Sequence, residues 1–312
     1  MVSEAMLPRA AVREVEQRLT AAGCPDADFD ARELFRLATG RDVRLSDRPL
    51  DAAEAAKLEE LTVRRAAREP LQYLCGSWPF IDFELAVGPG VLCPRADTEV
   101  VAETAAEMLA GVEAPRVLDL CAGTGCLGLG VKRLCPAAQV VCVEKSPEAY
   151  VYLEKNTRLA LKGRGGSTEN VLDASPFEES AFDWGMKPTR AAEPVEGDLF
   201  TYWESLPEGQ LDLIVSNPPY VPQSDLAAMH ANVRGYEPPE ALFVPDDDAL
   251  RFYRAIARAG RRMLRPGGKL YFEIYERSAG QMRLLLGEEG YTDTEVREDL
   301  NGKPRMVCSR MK

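Results

Sequence analysis

The sequence predicts an α/β protein: an open, mostly parallel sheet preceded by a small all-helical N-terminal domain. Three observations predict it. From about residue 97, apolar strand-like runs alternate with helix-like stretches, which is the pattern of a parallel sheet. Gly123 and Gly125 stand where the first such run passes into a helix, a place that needs close backbone approach. Residues 1 to about 75 carry helical periodicity and no strand-like run.

Taken in order, Val12, Val15 and Leu19 share one face of a first helix, and Ala31, Leu34, Phe35 and Ala38 make a second stripe. Asp51 and Glu54 form a capping-box pattern ahead of Ala55, Leu58 and Leu61. Residues 1–75 thus read as a helical domain, which is a packing or oligomerisation module on one reading and a partner-docking module on the other. Trp78, Phe80, Phe83, Leu85 and Val87, interleaved with Gly and Pro, predict a β-hairpin linker over 76–94, with Phe80 and Phe83 in its core. Residues 95–312 form the main domain. It opens with a helix at 98–111, a strand at 116–121, a helix at 126–134 and a strand at 139–143. Ser146 caps the next helix, with Pro147 at its first position. Residues 161–195, with several glycines, serines and acids, read as an irregular insertion, and Val195 and Glu196 as a short strand before Gly197. Strands follow at 211–216 and 269–275, the second entered through a tight Pro266-Gly267-Gly268 turn, with helices at 248–265 and 277–287. Asp246, Asp247 and Asp248 read as a solvated helix start, favourable to the helix dipole. The stretches 293–298 and 304–309 pair as a terminal hairpin.

Composition narrows the class. The chain has 312 residues, 46% of them apolar, which allows a sizeable core in one large domain or one plus a small one. No apolar run is long enough to span a bilayer. The first residues are acidic and lack a continuous apolar stretch, so no signal peptide is read there and a cytoplasmic protein is expected. Eight cysteines without a Cys-x-x-Cys pair read as buried free thiols. His230 is the single histidine, so neither a zinc site nor a serine triad is expected, and no metal. The net charge of −12 repels phosphate backbones, so duplex nucleic acid is not the expected partner.

The chemistry concentrates at strand ends. The run Leu211–Ser216 is stopped by Asn217-Pro218-Pro219-Tyr220, because proline cannot continue a ladder. An asparagine is held at the edge where open α/β sheets bind ligands, next to an aromatic ring. That pair suits a planar –NH2 group. The Asn217 carboxamide oxygen and the Pro218 carbonyl each accept one of its hydrogens, and Tyr220 stacks on its plane. Upstream, the segment Asp119–Cys126 passes from strand into helix through Ala122, Gly123, Thr124 and Gly125, and presents helix N–H groups to an anionic tail. Glu144, at the end of the next strand, is placed to accept the hydroxyl hydrogens of a ribose. Asp119 reads as a loop-ordering residue and Cys121 and Cys126 as packing. Taken alone, Arg95 and Glu99 read as an ion pair of small value.

With these residues in view, the chain resembles a known family. DLCAGTGC at 119–126, GDLF at 197–200 and NPPY at 217–220 resemble S-adenosylmethionine-dependent amino-group methyltransferases. EPLQYLCG at 69–76, VLCPRADTE at 91–99, EPPEAL at 237–242, FEI at 272–274 and GKPRMV at 302–307 narrow the resemblance to the release factor glutamine methyltransferases, over nearly the whole chain. The resemblance implies a class I, Rossmann-like methyltransferase fold with a seven-stranded, mostly parallel sheet. It implies methyl transfer from S-adenosyl-L-methionine, leaving S-adenosyl-L-homocysteine, to the side-chain amide of the glutamine in the Gly-Gly-Gln motif of release factors. It also implies residue roles. Asp119, the 121–125 turn and Glu144 bind the cofactor, and Asp198 and Leu199 flank its adenine. Asn217 touches cofactor and substrate, Pro218, Pro219 and Tyr220 shape the glutamine slot, and Arg95 and Glu99 stand near it. The helical domain then serves release-factor docking, and a monomer without nucleic-acid or membrane partners is expected.

Departures from the family pattern add expectations. Cys121 replaces the first glycine of the commonest turn, so ordinary backbone angles are expected there. Glu144 stands where Asp is common, and Tyr275 follows FEI where Gly is usual. Three other functions share parts of this pattern: adenine amino-group methylation of DNA, which would need base flipping, glutamine methylation of a ribosomal protein, and cofactor binding without turnover.

Overall fold

The computed structural model describes residues 1–160, 192–299 and 301–312, so most of the expected insertion at 161–195 lies outside the described residues. The chain folds as two compact units: Met1–Ser77 with Ala228–Glu237, and Trp78–Ala227 with Pro238–Lys312. The hairpin strands therefore fall at the start of the second unit, and ten residues from far downstream belong to the first.

The first unit holds α1 (Pro8–Ala21), α2 (Ala27–Thr39), α3 (Ala52–Ala66) and α4 (Leu71–Cys75). Pro8 begins α1 at a position whose N–H has no intrahelical partner. The buried face of α1 is Ala11, Val15 and Leu19, a spacing of four. Val12, expected on that face, is half-buried, and Ala11 takes its place in the buried row. On α2, Ala31, Leu34 and Phe35 are buried and Ala38 only partly. The capping box forms: Glu54 N donates to Asp51 Oδ1 at 2.9 Å, and Asp51 N donates to Glu54 Oε2 at 3.0 Å. A buried ion pair, Arg65 Nε to Asp30 Oδ2 at 2.8 Å, ties α3 to α2.

The second unit begins with the hairpin β1 (Ser77–Phe80) and β2 (Phe83–Ala86), followed by α5 (Ala96–Glu107). Then come β3 (Arg116–Leu120), α6 (Cys126–Leu134), β4 (Gln139–Glu144), α7 (Pro147–Ala160), β5 (Glu193–Glu196) and β6 (Leu211–Ser216). Next are β7 (Val221–Pro222), α8 (Ala231–Tyr236) in the stretch that belongs to the first unit, β8 (Phe243–Val244) and α9 (Arg251–Met263). The chain ends with β9 (Leu264–Glu273), α10 (Ala279–Glu288), β10 (Thr292–Glu298) and β11 (Pro304–Arg310).

Seven strands form one sheet in the order β10-β11-β9-β6-β3-β4-β5. The five from β5 to β9 are parallel, and β11 pairs antiparallel with both β9 and β10. Strands covered on both faces carry continuous apolar runs rather than alternation. Val140 to Val143 and Leu213 to Val215 are accordingly all buried. One face packs Tyr253, Ile256 and Met282 from α9 and α10 against Leu118, Ile214 and Phe272. The other packs Val101, Leu127 and Val131 from α5 and α6, with Phe80 and Leu85 of the hairpin, against Val117, Val140 and Tyr271.

Two boundaries move. The strand expected at 269 begins at Leu264, because Pro266-Gly267-Gly268 stays in the ladder as a bulge between Leu211↔Leu264 and Leu213↔Lys269. The helix expected at 248–265 runs from Arg251 to Met263, and Asp246 is engaged ahead of it: its Oδ1 accepts from Ser224 N at 3.0 Å and Ser224 Oγ at 2.8 Å. All eight cysteines are free, four buried and four half-buried. Among the described residues, no helix is long and apolar enough to cross a membrane.

Candidate active site

Strand order reverses at β3, which has β4 on one side and β6 on the other. Crevices at such switch points hold ligands outside the carboxyl ends of the strands. A cavity of 490 Å³ opens there, walled by the segments that follow β3, β4, β5 and β6 and by residues 90–98.

The wall after β3 is the glycine turn. Cys121, Gly123 and Gly125 have φ of +62°, +56° and +81°. Ordinary angles were expected at Cys121, and the structure overturns this: the residue takes the left-handed conformation that glycine takes without cost. The bend is imposed from both sides. Ala122 N donates to Val143 O at 3.0 Å, and Gly125 N donates to Ala122 O at 2.7 Å. At Gly123 an added Cβ would meet only Val91 at 3.9 Å, so backbone conformation and open space decide that position. Burial, with Glu144 and Asp119 nearby, pushes the Cys121 thiol well above its usual value, which suits packing rather than reaction.

Asp119 sits on β3, buried. Its Oδ2 accepts from Gly128 N of α6 at 2.8 Å, so it orders the turn as expected. Its Oδ1 has no partner among the described residues. Burial pushes this carboxyl up to about 8, against the Gly128 hydrogen bond and with help from the Glu144 charge. Glu144, at the end of β4, accepts from Gly123 N at 2.8 Å through Oε2. Its Oε1 accepts from Lys145 N at 2.9 Å and Ser146 N at 2.8 Å. The longer side chain thus laces two strand-end loops together. Asp198 accepts from Phe200 N at 3.0 Å and pairs with Lys145 at 2.9 Å. Burial works against it, but Lys145 and the Phe200 amide hold its carboxyl below the usual range.

Asn217 lies just past β6, half-buried and facing the cavity, and its carboxamide makes no hydrogen bond among the described residues. Arg95, Asp119, Cys121, Ala122, Gly123, Thr124, Glu144, Asp198, Leu199 and Pro219 also line the cavity, whereas Gly125, Pro218, Tyr220 and Glu99 do not. Glu99 instead accepts from Ile81 N at 3.0 Å and secures the hairpin tip. The Tyr220 hydroxyl donates to Glu273 at 3.1 Å, and its ring stacks on Tyr275 at 6.3 Å between centroids.

Several neighbours escaped the sequence reading. Phe200 and Phe252, 5.7 Å apart, with Arg251 over both rings at 5.6 and 5.3 Å, build an aromatic end to the cavity. GDLF pointed to Phe200, but nothing local marks residues 251 and 252. Thr98 also lines the cavity.

The residues fit S-adenosylmethionine. The volume suits a ligand of that size. The unpartnered, buried Asp119 Oδ1 suits an ammonium group, and the Phe200–Phe252 end suits a planar base. The sheet order, the glycine turn and this crevice define a class I S-adenosylmethionine-dependent methyltransferase. Residues 10–76 match the family model of the PrmC N-terminal domain, and residues 99–165 that of the TRM5/TYW2 methyltransferase domain. The release factor glutamine methyltransferase of Geobacter sulfurreducens is 37% identical over 268 residues, 85% of this chain and 81% of that protein. Those of Bacteroides thetaiotaomicron and Streptomyces coelicolor are 34% and 33% identical, covering 92% and 96% of this chain and 89% and 97% of theirs. The chain belongs to the release factor glutamine methyltransferases.

Proposed function

We propose that this protein methylates the side-chain amide nitrogen of the glutamine in the Gly-Gly-Gln motif of peptide chain release factors. The observation that carries the reading is an Asn217 carboxamide, without a hydrogen bond among the described residues, on the wall of a methyltransferase cavity, in a chain that matches that family over most of its length. S-adenosylmethionine supplies a methyl group already activated on a sulfonium. The chain's own work is to make a poor nucleophile reactive, because an amide lone pair is delocalised into its carbonyl. Asn217 Oδ1 and the Pro218 carbonyl each accept one N–H of the substrate amide, which fixes its plane and raises electron density on nitrogen as the new bond forms. Pro219 shapes the slot, and Arg95 stands at its rim. Holding the nitrogen in line supplies much of the remaining acceleration. One proton leaves the nitrogen for water. No protein nucleophile is required.

Asp119 Oδ1 accepts from the cofactor's ammonium, Glu144 from its ribose, and Asp198 and Leu199 border its base, with Phe200 and Phe252 as the apolar end. Tyr220 acts through the Asn217-Pro218-Pro219 segment, because it does not line the cavity and Tyr275 stacks on its ring. A monomer is the expected working form. The helical unit docks the release factor, a role supported by its match to the PrmC N-terminal domain. The reaction belongs in the cytoplasm, where release factors act.

The test is intact mass and peptide mapping of a purified release factor after incubation with this protein and S-adenosylmethionine. One added methyl on the Gly-Gly-Gln glutamine is expected. Asn217→Ala is expected to lose that methyl while binding S-adenosylhomocysteine within a few-fold of wild type. Equal losses of rate and affinity would refute the clamp, and an unmodified glutamine with the wild-type protein would refute the substrate.

A further inference from the structure

We propose that Glu273 is the positioning residue that fixes the two walls of the glutamine slot relative to each other, gripping Thr98 on one side and Tyr220 on the other. The inference rests on the methyltransferase reading above and deepens it.

Glu273 ends β9, in the middle of the sheet, and is buried. A carboxylate only accepts hydrogen bonds, and its two oxygens diverge. Here each oxygen serves a different wall. Oε2 accepts from Thr98 Oγ1 at 2.8 Å, and Oε1 accepts from Tyr220 Oη at 3.1 Å. Thr98 lines the cavity in the first turn of α5, where its N–H donates to Arg95 O at 3.1 Å, so Thr98 carries the Arg95 segment with it. Tyr220 closes the Asn217-Pro218-Pro219-Tyr220 segment, whose two prolines leave little freedom between the ring and Asn217.

The bridge is itself fixed. Glu273 O accepts from the Tyr253 hydroxyl at 2.8 Å, and Ile274 N donates to Arg305 O at 2.8 Å. Arg305 pairs with Asp97 at 3.5 Å and Asp299 at 3.3 Å, one residue from Thr98 and in the turn of the last hairpin. Four segments picked out in the sequence, 91–99, 217–220, 272–274 and 302–307, therefore meet around one carboxylate. Burying that carboxylate is costly, since among the described residues no cation bonds it directly and two hydroxyls offset the lost hydration. An apolar residue would pack there at lower cost but would leave both hydroxyls unheld. Spanning two walls is what the acid provides.

The experiment uses the full chain with a purified release factor and compares Glu273→Gln, Tyr220→Phe and the double variant. A glutamine keeps one acceptor oxygen and meets the other hydroxyl only with an N–H, so that hydroxyl must turn its own hydrogen away and its wall is no longer held in the same geometry. Loss of slot geometry by a fraction of an ångström to 1 Å is expected to lower kcat by about 10–100-fold. The affinity for S-adenosylhomocysteine is expected to stay within about threefold, since none of the cofactor-facing groups is touched. Tyr220→Phe added to Glu273→Gln is expected to cost little more, because both cut the same link. A wild-type kcat in Glu273→Gln, a loss confined to thermal stability, or additive losses in the double variant would overturn the proposal. Should Glu273→Gln not fold, Thr98→Val and Tyr220→Phe each release one wall, and wild-type turnover in both would overturn it equally. Failure of the wild-type protein to methylate the release factor is a separate outcome, seen before any variant is compared, and it refutes the substrate rather than the bridge.

Discussion

Replacing Asp119 by asparagine is expected to strengthen the fold above neutral pH and to weaken cofactor binding at the same time. Burial holds this carboxyl up to about 8, whereas an exposed aspartate titrates near ~3.9. Between those values the native protein keeps a proton that the unfolded chain has released. Stability therefore falls as pH rises from about 4 and levels off above about 8. About four units at about 1.4 kcal/mol each set an upper bound of about 5–6 kcal/mol, and local relaxation brings the expected loss between pH 5 and 8 to about 2–4 kcal/mol. Asparagine keeps the acceptor for Gly128 N but cannot ionise, so this slope should vanish from its denaturation midpoints measured from pH 5 to 9. It also turns a donor toward the place of the unpartnered Oδ1, where an ammonium would sit. Titration calorimetry with S-adenosylhomocysteine should show weaker binding by about tenfold, the worth of a charge-assisted hydrogen bond. Wild-type binding near pH 7 should also release protons, seen as a dependence of the heat on buffer, and Asp119→Asn should not. Parallel pH profiles for the two proteins, or equal affinities, would refute the reasoning.

Three further outcomes are expected. Cys121→Gly removes left-handed strain of about 1 kcal/mol and should raise the unfolding midpoint, whereas Cys121→Val, β-branched at positive φ, should lower it. Arg65→Ala leaves Asp30 buried and unpaired; the carboxyl, already pushed up by burial against Arg65, should cost the first unit about 3–5 kcal/mol in denaturant titrations. Tyr275→Gly removes the ring stacked on Tyr220 and its hydrogen bond to Asp225 at 2.5 Å. It should lower kcat/KM for the release factor about 2–10-fold with cofactor affinity unchanged, the worth of one aromatic pair.

Strand ends were readable because prolines and glycines mark them locally. Asn217 and Gly123 lie where the sequence put them, since a strand must stop at Pro218 and a turn opens where Gly123 and Gly125 flank Thr124. The sheet's parallel centre was readable from unbroken apolar runs. What escaped depends on pairs distant in sequence. Phe252 reaches the cavity only because α9 packs on the same face as the segment after β5. Glu273 looked like the end of a strand, and its meaning comes from Thr98, 175 residues away. Cys121 misled because side-chain preference argues for one backbone angle, while the next residue's hydrogen bond to the end of β4 and a second bond within the turn hold another. Glu99 looked like a slot residue and instead holds a backbone amide of the hairpin.

The assignment of Ala228–Glu237 to the first unit bears on how the protein is made. N-terminal domains usually fold as they leave the ribosome, before the rest of the chain exists. Here the last ten residues of the first unit emerge only after β3, β4, β5 and β6. At ~5–20 residues per second, that unit waits roughly ten to thirty seconds for its final piece. Until then the Ala67 carbonyl lacks the Tyr236 hydroxyl that bonds it at 2.9 Å. Nascent chains arrested just before and well beyond residue 237 should therefore differ in protease resistance within residues 1–77, and identical resistance would show that the first unit matures alone. A gene fragment starting at Trp78 would likewise carry ten residues that belong to a missing fold.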